Sequence, residues 1–197
     1  LWQMLADVTG TEILDGLRLD SVTRRRRLNE LEFNFPVPDL SATDLNGLLS
    51  QLGYAGPRLT FSRLEGYLKG FIDLIFEHRG RFYILDWKSN HLGYAKADYD
   101  AGRVANAMAE HGYHLQYLLY AVALDRYLQR RLPGYRYVTH CGGVLYLFVR
   151  GVRPSWRNGD DSAAGVYAHV PPHEAILQLN ALFGQQVHPH LGQLSTE

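Results

Sequence analysis

The chain has 197 residues, of which 46% are hydrophobic and 20% charged, and its 20 Lys and Arg balance its 20 Asp and Glu. That is the composition of one globular domain with enough chain for a proper core, and the zero net charge argues against a protein that coats nucleic acid nonspecifically. No apolar run approaches the ~18–20 residues of a membrane span. Cys141 is the single cysteine, so no disulfide framework is expected. With no signal peptide in view, the reading is a cytoplasmic protein with no membrane partner. The chain opens on Leu1 in mid-pattern and without a starting methionine, as an excised domain would. A Walker-type phosphate loop is also missing, so no ATPase activity is expected of this stretch.

In chain order, residues 1–9 read as the end of a helix. The run Arg24-Arg25-Arg26-Arg27 is the densest basic patch and fits a solvated strand edge, a subunit contact or a DNA contact equally well. Residues 20–37 alternate loosely, as a strand or hairpin closed by Pro36 and Pro38. Ser41-Ala42-Thr43-Asp44 resembles a capping box, opening a helix that runs to about Leu52 and breaks at Gly53–Pro57. After a hairpin over 66–88 and a polar loop to about 97, residues 98–110 look helical and Gly112 interrupts them. Apolar residues recurring at helical spacing predict an amphipathic helix over 113–131, ended by Pro133-Gly134. The nearly continuous apolar run 142–149 predicts a strand buried on both faces. Residues 151–166, rich in Gly, Ser and Asp, predict a mobile loop, and a last helix covers about 171–184 with Pro171 or Pro172 in its first turn. His188 and His190 near the C-terminus have no metal-binding spacing. The order of elements predicts an α/β fold, a central mixed β-sheet flanked by helices, in a single domain over 1–197.

The hairpin carries the chemistry. Residues 67–77 and 81–88 are rich in β-branched and aromatic side chains and are separated by His78-Arg79-Gly80. If residues 78–81 form the connection, Glu77 pairs with Phe82, and counting back along the ladder sets Asp73 opposite Asp86, on the same face of the sheet. A three-residue loop would shift that register by one unless a bulge restored it. Lys88, two residues beyond Asp86, belongs to the same face. Two carboxylates this close repel when both are ionised. A divalent cation between them removes the conflict, and hard oxygen ligands suit Mg²⁺, Mn²⁺ or Ca²⁺ rather than zinc. A solvent-facing acid pair with Lys88 as a surface partner is the plainer alternative. Against it, Phe71 and Ile75 flank Asp73, and Phe82 and Ile84 precede Asp86, so the acids interrupt apolar strands.

An Asp followed about a dozen residues later by Asp-x-Lys is the signature of the restriction-endonuclease-like, PD-(D/E)xK, nuclease core. The surrounding residues go further. Gly70-Phe71-Ile72-Asp73-Leu74, Leu85-Asp86-Trp87-Lys88-Ser89-Asn90, Tyr113-His114-Leu115-Gln116-Tyr117 and Gly142–Gly151 resemble the C-terminal nuclease domains of the RecB family, the beta subunits of exodeoxyribonuclease V. The likeness spans roughly residues 30–185. It implies a restriction-endonuclease-like core that hydrolyses DNA phosphodiesters with Mg²⁺. Mn²⁺ would substitute, and Ca²⁺ would bind without supporting cleavage. It also implies partners: single- and double-stranded DNA ends, RecC- and RecD-like subunits, and the RecA recombinase.

By that resemblance, Asp73, Asp86 and the main-chain carbonyl of Trp87 hold the metal, and Lys88 orients the attacking water or offsets charge on the phosphorane. Gln116 and Tyr120, four apart on one helix face, match the family's Gln-x-x-x-Tyr pair. Spacing alone would also allow Tyr113, Tyr117 and Tyr120 to form an aromatic flank of the core. The segment Glu30-Leu31-Glu32-Phe33 matches the stretch that supplies a further active-site glutamate, with Glu32 the better match and Glu30 second; an exposed strand acid is the alternative for either. One departure stands out: family members carry a metal-binding histidine about a hundred residues before the first aspartate, and none of the 72 residues before Asp73 is a histidine. The expected function is therefore a metal-dependent nuclease that is weakened by a missing ligand. The second reading is a non-cleaving module that docks on partner subunits or on RecA.

Overall fold

The computed structural model describes residues 2–184. Helix α1 (Trp2–Gly10) is followed by two short 3-10 turns, then strand β1 (Arg27–Ser41) and helix α2 (Ala42–Gln51). Strands β2 (Arg63–His78) and β3 (Arg81–Lys88) form the hairpin. Helices α3 (Ala101–Glu110) and α4 (Tyr113–Arg131) and the single turn α5 (Tyr137–His140) lead to strands β4 (Cys141–Phe148) and β5 (Val166–His169), and helix α6 (His173–Leu182) closes the described chain. The five strands form one sheet in the order β1-β2-β3-β4-β5. β3 and β4 run parallel and the other neighbours antiparallel. This is the mixed sheet flanked by helices that the element order predicts. A parallel pair needs a long crossover, here supplied by α3, α4 and α5.

Both faces of the central part of the sheet are covered. The larger core joins Ile75, Ile84, Val144, Tyr146 and Phe148 to α3, α4 and α6. The smaller one joins Leu74, Phe76, Leu85, Leu145 and Leu147 to Val8 of α1 and the segment after it. β4 is buried on both sides, as its sequence predicts. α4 is buried more widely than an amphipathic stripe, with Tyr117, Leu118 and Val122 all fully buried, because the sheet lies on one side of it and α3 and α6 on the other.

Several local expectations change. β1 starts only at Arg27 and runs straight through Pro36 and Pro38 to Ser41. Among the described residues it is an edge strand, paired only with β2, and an edge strand accommodates residues that cannot donate to a ladder. The register also slips between Val37 and Leu40, around the second proline. Ser41 caps α2 as expected, its Oγ accepting from the backbone N–H of Asp44 at 3.0 Å. Residues 151–166 are a folded loop rather than an open one: Ala163 and Ala164 are buried, and Asn158 N–H donates to the Ser162 carbonyl at 2.8 Å. Strand β5 follows at once, a short segment without enough alternation to announce itself. Pro172 is the N-cap of α6 and lies just before its first turn. His188 and His190 fall outside the described residues.

The hairpin closes on a two-residue turn. Arg79 and Gly80 both take positive φ, 52° and 78°, and His78 pairs with Arg81, the tight connection that matches strand twist. Glu77 nonetheless pairs with Phe82, so the expected register holds, and the ladder is continuous to Leu74 opposite Leu85. Gly70 is required by packing: the Phe33 ring of the paired strand covers it so closely that a Cβ would collide. Gly70→Val is expected to cost about 1–3 kcal/mol by overpacking, read as a drop in the denaturation midpoint at unchanged slope.

Candidate active site

Asp73 sits where the β1–β2 ladder loses its alternation. Leu28 and Leu31 of β1, three residues apart, both face the larger core, and so do Ile72 and Ile75 of β2. Strict period-two strands would put the members of each pair on opposite faces. The break falls at Glu30, whose φ is +52°. Since Asn29 pairs with Leu74 and Leu31 with Ile72, Glu30 stands opposite Asp73 in the register. This kink leaves Asp73 half-buried, and it turns Phe71 out to solvent. Phe71 therefore does not shield Asp73, as its position two residues away had implied.

Asp73 is held against β3 by a main-chain bond: Trp87 N–H donates to Asp73 Oδ2 at 3.0 Å. Asp86 is 3% exposed and Lys88 8% exposed, which rules out the solvent-facing alternative for that pair. Lys88 Nζ lies 2.6 Å from Asp86 Oδ2 and donates to Gln116 Oε1 at 2.8 Å. The ammonium also sits over two aromatic rings, 3.8 Å from the centroid of Tyr113 and 4.8 Å from that of Tyr146, each adding cation–π attraction in a desolvated setting. Burial of an ammonium without such partners would be prohibitive.

Gln116 is fixed at both ends of its amide. Its Oε1 accepts from Lys88 Nζ and, at 3.2 Å, from Tyr146 Oη, while its Nε2 donates to Tyr120 Oη at 2.8 Å. The three contacts are mutually consistent only with the oxygen towards the lysine. α4 thus brings Gln116 and Tyr120 to the ends of β3 and β4, where Asp86 lies beside Tyr146 on the parallel ladder. Tyr113 Oη donates to Asn90 Oδ1 at 3.1 Å, tying the first turn of α4 to the loop after β3. The aromatic-flank alternative fits Tyr117, fully buried against Tyr54 and Tyr167, while Tyr120 both packs edge-on against Phe33 and accepts a hydrogen bond from Gln116.

Burial pushes the Asp86 carboxyl up from its ordinary range. Lys88 opposes that push through a hydrogen bond and its charge, and the Asp73 charge adds to it. Burial, with the negative charge of Asp86 next, also pushes Tyr120 up to about 12. Two carboxylates against one lysine leave the site with negative formal charge in excess, which a bound cation would offset. The donor set fits a hard divalent ion: the hydrogen bonds and the ion pair engage Oδ2 of each aspartate, and Oδ1 of each accepts no hydrogen bond among the described residues. No three His, Cys, Asp or Glu side chains come together around a common point among those residues. A cation here would complete its shell with main-chain and water oxygens, as Mg²⁺ commonly does.

The structure separates the two glutamates. Glu32, preferred from sequence, pairs with Phe71 on the solvent side of β1, and its carboxylate is bound by Lys69 Nζ at 2.8 Å. Glu30 is the one opposite Asp73, and it is exposed. Sequence reasoning overlooked Tyr146 and Asn90. Tyr146 sits in a uniformly apolar run, and only the parallel pairing with Asp86 gives it meaning.

A family model for the PD-(D/E)XK nuclease superfamily matches residues 16–194. The chain belongs to that superfamily. Among curated proteins it is similar to the RecBCD enzyme subunit RecB. With that of Escherichia coli (strain K12) it shares 41% identity over 172 residues, 85% of this chain and 14% of the relative. With that of Mycolicibacterium smegmatis it shares 38% over 193 residues, 85% of this chain and 18% of the relative. The match is to the C-terminal nuclease domain of RecB, and the chain spans less than a fifth of those relatives' length.

Proposed function

We propose that this domain hydrolyses DNA phosphodiester bonds with Mg²⁺, as the nuclease part of a RecBCD-type helicase–nuclease acting in recombination and double-strand break repair. The observation that supports this most is the convergence of Asp73, Asp86, Lys88, Gln116 and Tyr120 from two strands and one helix. A bound Mg²⁺ supplies Lewis-acid polarisation of the phosphate and a lowered pKa for bound water. Asp73, Asp86 and the Trp87 carbonyl are the groups that would hold it. Lys88, fixed by Asp86 and Gln116, presents its charge where negative charge develops on phosphorus, in a site shielded from water. Gln116 sets the lysine's position, and Tyr120 sets that of Gln116. Glu30, rather than Glu32, is the acid placed to join the Asp73 side.

RecC- and RecD-like subunits are the proposed partners, since the relatives are subunits of an enzyme named RecBCD, and the cytoplasm is the proposed location. In a labelled single-stranded DNA assay, degradation is expected with Mg²⁺ or Mn²⁺ and is expected to vanish with EDTA or in Asp86→Ala. Full activity in Asp86→Ala would remove the assignment. Absence of both cleavage and calorimetric metal binding would favour the docking module for partner subunits or RecA. Because burial raises Asp86, the acid limb of the pH–rate profile is expected above the ordinary carboxylate range. It should move to lower pH as Mg²⁺ concentration rises.

A further inference from the structure

We propose that Tyr113 is the positioning residue for Lys88, its ring held against the ammonium by Asn90 and His111; this rests on the nuclease reading. A lysine ammonium carries three N–H donors. Oxygen meets it here from Asp86 Oδ2 at 2.6 Å and from Gln116 Oε1 at 2.8 Å. Beyond these it is faced by the Tyr113 ring, 3.8 Å from the centroid, and by the more distant Tyr146 ring at 4.8 Å. A further carboxylate would also fix the lysine, but it would cancel the charge. A π-face lowers the cost of burying the ammonium and leaves the positive charge whole. That is what a group meant to meet developing negative charge requires.

The ring is placed by its helix and then locked. Tyr113, Gln116 and Tyr120 stand at i, i+3 and i+7 of α4, so they form one row on the helix surface. Tyr113 opens that helix directly after Gly112, whose φ of +66° turns the chain out of α3. The turn brings His111, the C-cap of α3, onto the Tyr113 ring, with centroids 5.3 Å apart and planes 25° apart. Asn90, in the loop after β3, joins the two. Its Oδ1 accepts from Tyr113 Oη at 3.1 Å, and its Nδ2 donates to His111 Nε2 at 3.1 Å. One amide therefore holds both the hydroxyl of the ring and the imidazole stacked on it.

Core packing does not account for this arrangement. Tyr117 and Tyr146 fill the core and are fully buried, whereas Tyr113 and Asn90 are only half-buried and His111 is exposed. A ring needed only to fill space would not call for a hydroxyl tied to the loop that follows the lysine. Lys88, Ser89 and Asn90 are consecutive, so the strand end that carries the ammonium also carries the clamp on its ring. Arg150 fixes the same loop from β4's end, its Nε donating to the Ser89 carbonyl at 3.1 Å.

The test joins a spectroscopic readout of Lys88 to the kinetics of Mg²⁺-dependent cleavage of labelled single-stranded DNA. The lysines of the chain are Lys69, Lys88 and Lys96, so NMR of protein grown on isotopically labelled lysine resolves each, and loss of a signal in Lys88→Met assigns it. Ring currents should place the Lys88 ε-methylene signal upfield of that of Lys96. Tyr113→Leu is expected to reverse much of that shift and to lower kcat by about thirtyfold at unchanged KM, the equivalent of a desolvated cation–π contact. Tyr113→Phe keeps the ring and should keep the shift, with kcat lower by about two- to fivefold for the lost bond to Asn90. His111→Ala removes an exposed side chain and should cost a similar two- to fivefold, about one neutral hydrogen bond. It decides the matter if circular dichroism shows Tyr113→Leu unfolded, since a parent-like kcat in His111→Ala would overturn the clamp. A parent-like kcat in folded Tyr113→Leu, or equal losses in Tyr113→Leu and Tyr113→Phe, would overturn the positioning role and leave the nuclease reading standing. A raised KM at parent kcat would overturn it too, since the ring would then be a strand contact. A parent chain that cleaves nothing, even with the Lys88 signal upfield, would defeat the nuclease reading and this inference with it.

Discussion

Lys88→Met is expected to lower cleavage by about a hundred- to a thousandfold, the usual loss when a group preorganised for transition-state charge is removed. It should also destabilise the metal-free protein by about 3–5 kcal/mol at neutral pH, the cost of leaving a buried charge unpaired. Methionine fills much of the same space, so packing between Tyr113 and Tyr146 is retained and the change isolates the charge. The pH dependence follows from Asp86. Its carboxyl is already raised by burial against the opposition of Lys88, and without the lysine it rises further. Between the ordinary aspartate pKa and that raised value, the folded state binds a proton that the unfolded state has released. Stability therefore falls as pH rises through the window. The deficit of Lys88→Met against the parent should be largest at neutral pH and shrink in acid, where Asp86 is neutral in both states. Urea melts at several pH values would measure it. A pH-independent deficit would mean that packing rather than charge is at stake.

The second large effect concerns the cation. Ca²⁺ at about a hundred times its dissociation constant is expected to stabilise the fold by about 2.7 kcal/mol, or a rise of about 5–10 °C in the melting temperature for a domain of this size. The rise should disappear in Asp73→Ala and in Asp86→Ala. The two variants differ in the absence of metal. Asp73 is half-buried and its removal relieves repulsion on Asp86, so Asp73→Ala should melt near the parent. Asp86→Ala strands Lys88 among aromatic rings and should melt lower. Calorimetric titration of the same variants separates loss of binding from loss of fold. A Ca²⁺-induced shift that survives both substitutions would place the cation elsewhere.

Much of the site was legible in the sequence, because its spacing follows from secondary structure alone. Asp86 and Lys88 share a face because a strand repeats every two residues, and Gln116 and Tyr120 share one because a helix brings residues four apart together. The hairpin register was legible too, from Glu77 paired with Phe82, although the turn proved tighter than a four-residue loop. Capping by Ser41 and the doubly buried strand β4 come from equally local chemistry.

Tertiary structure decided everything that depends on which elements meet. The parallel pairing of β4 with β3 sets Tyr146 beside Asp86, and no local pattern encodes a contact across 60 residues. The register sets Glu30, not Glu32, opposite Asp73. The positive φ of Glu30 breaks the alternation there, and Phe71 is turned outward. The passage of β1 through two prolines fits its place at the edge, where no strand pairs beyond it among the described residues, and that is a property of the finished sheet. Sequence by itself determined which residues share a face within each strand and helix, since periodicity is a local property of the chain. The tertiary structure alone decided which faces come together and where the alternation breaks, since these are set by packing between segments far apart in sequence.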